Sequence, residues 1–221
     1  MPGTGAGNPF RYVGHVAELL DPITLTGRHV QLEPLSIEHV DGLVSASTVE
    51  RDTYDYTDVP GDHGAMQHYI DRLLDDRANG KVLPFAQRRL DTGELVGCTR
   101  FMEPRWWRGR HEPDEIEIGG TWLGANAQRT AVNTEAKYLL LTHAFEHWDV
   151  WRVAICTDEN NARSRTAIER LGASFEGILR NHRLRYNTTP VEPRNTAAYS
   201  ITDTEWPGIK RGLEQRLDIA R

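Results

Sequence analysis

A single mixed α/β domain is the fold class this chain predicts, on three observations. Segments that alternate like strands interleave with segments whose apolar residues recur at three and four, in the order β-α-α-β-β-β-α-β-α-β-β-α. The 221 residues, 38% of them apolar, are enough for one substantial core and leave no length for a second full domain. The chain carries no internal repeat and no low-complexity tract.

The elements follow in order. Residues 1–24, opening with "MPGTGAGNPF", read as an N-terminal arm, and the organised domain as residues 25–221. "HVQLEPL" alternates like a strand, and "SIEHVDGLVSAS" offers Ser36 as an N-cap ahead of Ile37, Val40, Leu43 and Val44 at helical spacing. Met66, Tyr69, Ile70, Leu73 and Leu74 predict a helix from about Gly64 to Ala78. "VLPFAQRRL", the turn "DTGE" and "LVGCTRFMEP" form a β-hairpin signal, because a short Asp/Gly connection joins two apolar runs. The loop "RWWRGRHEPD" leads to the strand "EIEIGGTWLG", and a helix runs on to about His147. Then come the strand "WRVAICTD", the helix "NARSRTAIERLG" and the strand "ASFEGILRNHRLR". The last strand is "TAAYSITD", followed by a helix from Trp206 to about Ile219.

Charge and cysteines narrow the function. A formal charge of −6 gives no footing for broad binding to nucleic acid or anionic lipid. Cys98 and Cys156 lie far apart in apolar runs and read as reduced core residues. The start lacks a basic and an apolar leader region, and no run approaches the ~20 apolar residues of a membrane span, so the cytoplasm is the expected location.

The chemistry gathers around two strand-to-helix units. Gly119 and Gly120 interrupt a strand pattern, where paired glycines mark a bulge that splays the strand from its neighbour. After Gly124 the stretch "GANAQRTAVNTEAK" starts a helix with Thr130 as N-cap and Glu135 in the first turn, exposing amide N–H groups at the positive end of the helix dipole. The next unit puts Asn161 at a strand exit, Ser164 in a helix start and Gly172 at the left-handed C-cap position.

With these pieces in order, the chain resembles the GNAT acetyltransferase superfamily and, within it, the RimJ/RimL-type N-acetyltransferases. The carriers are "LTGRHVQLEPLSIEHVDGL", "EIEIGGTWLG", "AQRTAVNTEAK", the N-A-R-S of Asn161 to Ser164, "AIERLGASFEGILR" and "YSITDTEWPGIK", over about Leu25 to Leu217. The resemblance implies a mostly antiparallel sheet of about seven strands, splayed between two central parallel strands and flanked by helices. It also implies acetyl-coenzyme A as acyl donor, without a metal, and an amine acceptor: a protein N-terminus or a small molecule. By the same resemblance, the pantetheine arm pairs with the backbone at Trp122 and Leu123 and with Asn161. The pyrophosphate rests on the N–H groups of Gln128, Arg129, Thr130, Ala131, Val132, Asn133 and Thr134. Ala131 and Asn133 stand where the family's glycines fall. Ala131 removes no donor but adds a Cβ beside the phosphates.

Amine attack on a thioester needs a base for the amine and a proton for the leaving thiolate. Glu117, on the splayed strand, is the expected base, and Ser164, which fits the family's N-x-x-S position, is the expected general acid or thiol-positioning group. Some relatives carry an acid where Arg183 stands, and His182 beside it is the second-choice base. A larger donor such as succinyl-coenzyme A, or a non-catalytic acyl-coenzyme A sensor, remains the alternative. Acceptor specificity is expected from the helices before Arg77, the Trp loop and the strand after Gly177.

Two motifs point elsewhere. His143-Ala144-Phe145-Glu146-His147 matches H-x-x-E-H, a zinc-protease signature, but it sits in a helix needed for packing and has no third ligand. "RWWRGR", Arg105 to Arg110, interleaves Trp with Arg, and the expected use is contact with the acceptor or with a second subunit of a homodimer.

Overall fold

The computed structural model describes residues 20–185 and 188–219. Most of the expected N-terminal arm, residues 1–19, lies outside these. Leu20 packs into the main core, and Ile23 leans on it.

The strands are β1 (Leu25–Thr26), β2 (Val30–Pro34), β3 (Val82–Arg89), β4 (Leu95–Arg105), β5 (Glu115–Leu123), β6 (Arg152–Asp158), β7 (Ser174–Arg185) and β8 (Glu192–Thr202). The helices are α1 (Val40–Ser47), α2 (His63–Ala78), α3 (Ala131–Glu146), α4 (Ala162–Leu171) and α5 (Trp206–Arg216). The strands form one eight-stranded sheet in the order β1-β2-β3-β4-β5-β6-β8-β7. Seven were expected from alternation; the eighth, β1, has two residues, too few to show a period. Ser36 precedes a 3₁₀ turn, Ile37–His39, rather than α1 itself.

Both faces of the sheet are covered. On one face α1 and α2 bring Leu43, Met66, Ile70 and Leu73 against Ala86, Cys98 and Trp122. On the other, α3, α4 and α5 bring Leu140, Phe145, Ile168, Leu171 and Leu213 against Phe85, Phe101, Ile118 and Tyr199. Burying a side chain of this size contributes roughly 1.5–3 kcal/mol, so the two apolar faces hold the layers together.

One buried carboxylate ties the start of the sheet to α3. Glu135 is 1% exposed and accepts the backbone N–H groups of Arg28 (2.8 Å), His29 (2.6 Å) and Val30 (2.9 Å). Gly27 is required beside it, since a Cβ there would lie 2.3 Å from the carboxyl. Contrary to the sequence expectation, Glu135 lies beyond the first turn of α3, which holds no acid, so its carboxylate serves the β1–β2 turn and not the helix dipole. Glu135→Gln turns a donor group toward those amides and is expected to cost about 3 kcal/mol, read by urea unfolding; a loss under ~0.5 kcal/mol would deny the tie its role.

β5 and β6 run parallel and pair only at Glu115↔Arg152, Ile116↔Val153 and Glu117↔Ala154. Beyond Glu117 the two strands diverge. The cause is the glycine pair: register shifts between Cys98 and Arg100, and Gly120 takes φ +55°. β7 carries a second irregularity between Leu179 and Arg183, where Asn181 has φ +49° and donates its N–H to Asn195 Oδ1. That bulge aims Arg183 and Arg185 back toward β5 and β6.

Candidate active site

A cleft of about 1610 Å³ opens where β5 and β6 part. Its walls come from β5, β6, the starts of α3 and α4, the segment 53–58, α2, and the 183–185 stretch of β7. Glu117 stands at the fork of the two strands, 5% exposed. Both of its oxygens accept from Arg183, at 3.0 and 2.6 Å, in a two-point ion pair. Cys156 faces the same carboxylate, and its thiol is pushed up to about 12 by burial and by the Glu117 charge. Arg183 is thus the partner of Glu117. His182 is exposed and absent from the cleft wall.

At the far end of β5, Gln128 bridges the walls: its amide donates to Leu123 O (2.9 Å) and Thr53 Oγ1 (3.0 Å) and accepts from Arg163 (2.8 Å). Thr130 caps α3, accepting from Val132 N at 3.3 Å and donating to Ala127 O at 2.7 Å. Arg129, Thr130, Asn133 and Thr134 line the cleft, whereas Ala131 does not and Val132 is buried in the core. The left-handed residue of the turn is Arg129 (φ +61°), so Ala131 and Asn133 stand at ordinary helical positions that need no glycine. Trp122 and Leu123 line the cleft, with Tyr54 packed edge-on to Trp122. Asn161 caps α4 by accepting from Ser164 N at 3.0 Å, and both residues reach the wall. The cleft therefore gathers ten of the twelve residues singled out from sequence.

Two wall residues escaped the sequence reading. Lys137, 5% exposed on α3, donates to Thr99 Oγ1 (3.1 Å) and Thr121 Oγ1 (2.5 Å) across the β4–β5 bulge. No carboxylate pairs with it among the described residues, and burial pushes its amine down to about 7. Arg100, on the opposite face, lies against Gly120 so closely that a Cβ there would sit 2.3 Å from its Cζ. A Lys inside an amphipathic helix and an Arg inside a strand look like surface residues in sequence. The signal available was their place: Lys137 falls in line with Asn133 four residues earlier, facing the bulge.

Glu146 accepts from Trp206 Nε1 and Lys210, His143 and His147 stack at 5.0 Å, and no group of three potential metal ligands occurs among the described residues. In the Trp loop, Arg108 and Arg110 clasp Asp114 and Asp149. Burial opposes the charge on Asp114, yet hydrogen bonds from the Arg108 side chain and the Arg108 and Trp107 amides hold the carboxyl down to about 2. Trp107 stacks on Trp151, and no residue of this loop lines the cleft.

Residues 29–174 match a family model described as Acetyltransferase (GNAT) domain. A GCN5-related N-acetyltransferase from Brucella melitensis is similar at 29% identity and a TM-score of 0.75, with 89% of this chain and 86% of that one covered. Mycobacterium smegmatis RimJ, solved in complex with CoA-disulfide, shares the fold at a TM-score of 0.73 and 18% identity, over 88% of this chain and 95% of that one. A Bacillus subtilis (strain 168) protein named "Putative ribosomal N-acetyltransferase YdaF" is 34% identical over 104 residues, 45% of this chain and 54% of that protein. The chain thus spans about half the length of that curated relative. With a splayed β5–β6 pair, a capped α3 at its mouth and a family model covering more than half its length, the chain belongs to the GNAT acetyltransferase family.

Proposed function

We propose that the protein transfers an acetyl group from acetyl-coenzyme A to a primary amine by direct attack in a ternary complex. The observation that carries this is the parting of β5 and β6 beyond Glu117, which leaves backbone edges of both strands facing a cleft that ends at the N-terminus of α3. A thioester donor supplies an activated carbonyl carbon. In this reading the amides of Gln128 to Thr134 and the Arg129 guanidinium hold the pyrophosphate, and Trp122, Leu123 and Asn161 hold the pantetheine arm. Glu117 takes the amine's proton through a water, the new C–N bond forms, the C–S bond breaks, and Ser164 returns a proton to the leaving thiolate. Thr53 to Asp58, Tyr69, Arg72 and Arg183 to Arg185 form the acceptor wall.

The name of the Bacillus subtilis relative, "Putative ribosomal N-acetyltransferase YdaF", makes amines of ribosomal proteins, the N-terminus among them, the first acceptors to try, ahead of small-molecule amines. Incubating the protein with acetyl-coenzyme A and a panel of peptides and amines, with free thiol as readout, is expected to show thiol release that depends on the amine. Tight coenzyme binding with no release for any amine would leave an acyl-coenzyme A sensor instead.

A further inference from the structure

Most cations on the cleft wall are accounted for. Arg183 pairs with Glu117, Arg185 and Arg194 with Asp158, Lys81 with Asp76, and Lys137 with two threonines. Arg129, Arg170 and Arg216 stand in water. Arg100 differs from both groups. It is half-buried, its Nε is fully buried without an acceptor, and no ion pair or hydrogen bond holds its guanidinium among the described residues. A buried N–H without an acceptor is costly, so the Arg100 guanidinium, facing the cleft with its Nε unsatisfied, has an acceptor position still to fill.

Its position says what would complete it. Arg100 pairs with Gly119 across β4 and β5, and the two glycines of the bulge clear space on one face. A Cβ on Gly120 would strike Arg100, and one on Gly119 would lie 2.7 Å from Met102 Sδ and 3.1 Å from Glu117 Oε1. Arg100 and Glu117 therefore flank the bulge on the same side of the sheet, beside the place where the acyl carbon and the amine must meet.

We propose that Arg100 is a specificity-determining residue that binds a carboxylate carried by a substrate, a short spacer away from the reacting carbon. The planar fork of the guanidinium suits a carboxylate held by two N–H groups. The carboxylate belongs either to a dicarboxylic acyl donor or to an amino-acid-like acceptor. The inference rests on the acyl-transfer reading above.

The experiment compares wild type, Arg100→Met and Arg100→Lys in two arms. In the first, calorimetry gives the ratio of affinities for succinyl-coenzyme A and acetyl-coenzyme A. In the second, thiol release from acetyl-coenzyme A gives the ratio of rates with L-glutamate and with its diamide. Wild type is expected to favour the carboxylated member in one arm by about 10- to 100-fold, Arg100→Met to lose that preference, and Arg100→Lys to keep part of it. The melting temperature of Arg100→Met is expected at or above that of wild type, since a half-buried cation whose Nε lacks an acceptor has been removed. Equal ratios in wild type and Arg100→Met in both arms overturn the proposal while leaving acyl transfer intact. Failure of wild type to bind either coenzyme A ester removes the acyl-transfer reading and this one with it.

Discussion

Glu117→Gln is expected to lower the rate of acyl transfer by about 10²- to 10⁴-fold near neutral pH, the range that a positioned base contributes. The fork with Arg183 does not remove this capacity. An ionised carboxylate has about four acceptor positions, and Arg183 uses one on each oxygen, which leaves room for a water on the cleft side. Arg183 meanwhile supplies the positive charge that so buried a carboxylate needs. The loss should shrink as pH rises, because the acceptor amine then arrives already deprotonated. Transfer rates equal to wild type at every pH would take the role of base away from Glu117. Arg183→Met serves as a companion: it leaves a buried carboxylate unpaired, so stability should fall by about 3–5 kcal/mol, a change the isosteric Glu117→Gln should not match.

Lys137→Met should stabilise the protein by several kcal/mol at pH 6 and by progressively less as pH rises toward 10. The Lys137 amine is pushed down to about 7 in the folded protein, against an ordinary value of 10.5. Between those values the unfolded chain binds the extra proton and the folded one does not, so wild-type stability climbs with pH across that window. Below about 7 both states are charged and the full cost of burying the ammonium is present, about 1.4 kcal/mol for each tenfold loss of proton affinity on folding. Methionine fills similar volume without the charge, and Thr99 and Thr121, 2.8 Å apart, remain hydrogen-bonded to each other. Urea unfolding of both proteins from pH 6 to 10 measures the effect. Parallel stability curves for wild type and Lys137→Met would show that the buried amine does not titrate in this window.

Much of this molecule could be read along the chain. The twelve longer elements announced themselves through period and punctuation: Asn161 and Gly172 at the ends of α4, Thr130 before α3, and the glycine pair inside β5. These are local effects, settled by backbone conformation within a few residues. The same holds for the candidate pyrophosphate turn, where the order strand, turn, cap and helix is written in sequence even though the expected glycines are missing.

What could not be read is who meets whom. Glu135 looks like an ordinary first-turn acid, yet its partners are amides more than 100 residues away. His182 and Arg183 are adjacent, and only the bulge at Asn181 decides that the arginine reaches Glu117 while the histidine faces water. Lys137 and Arg100 look like surface charges until the sheet and α3 close over the bulge from either side. Local periodicity specifies elements because it depends on neighbours in the chain. The charge state and partners of a buried side chain depend on the dielectric and on groups from distant elements, which exist only once the layers have packed.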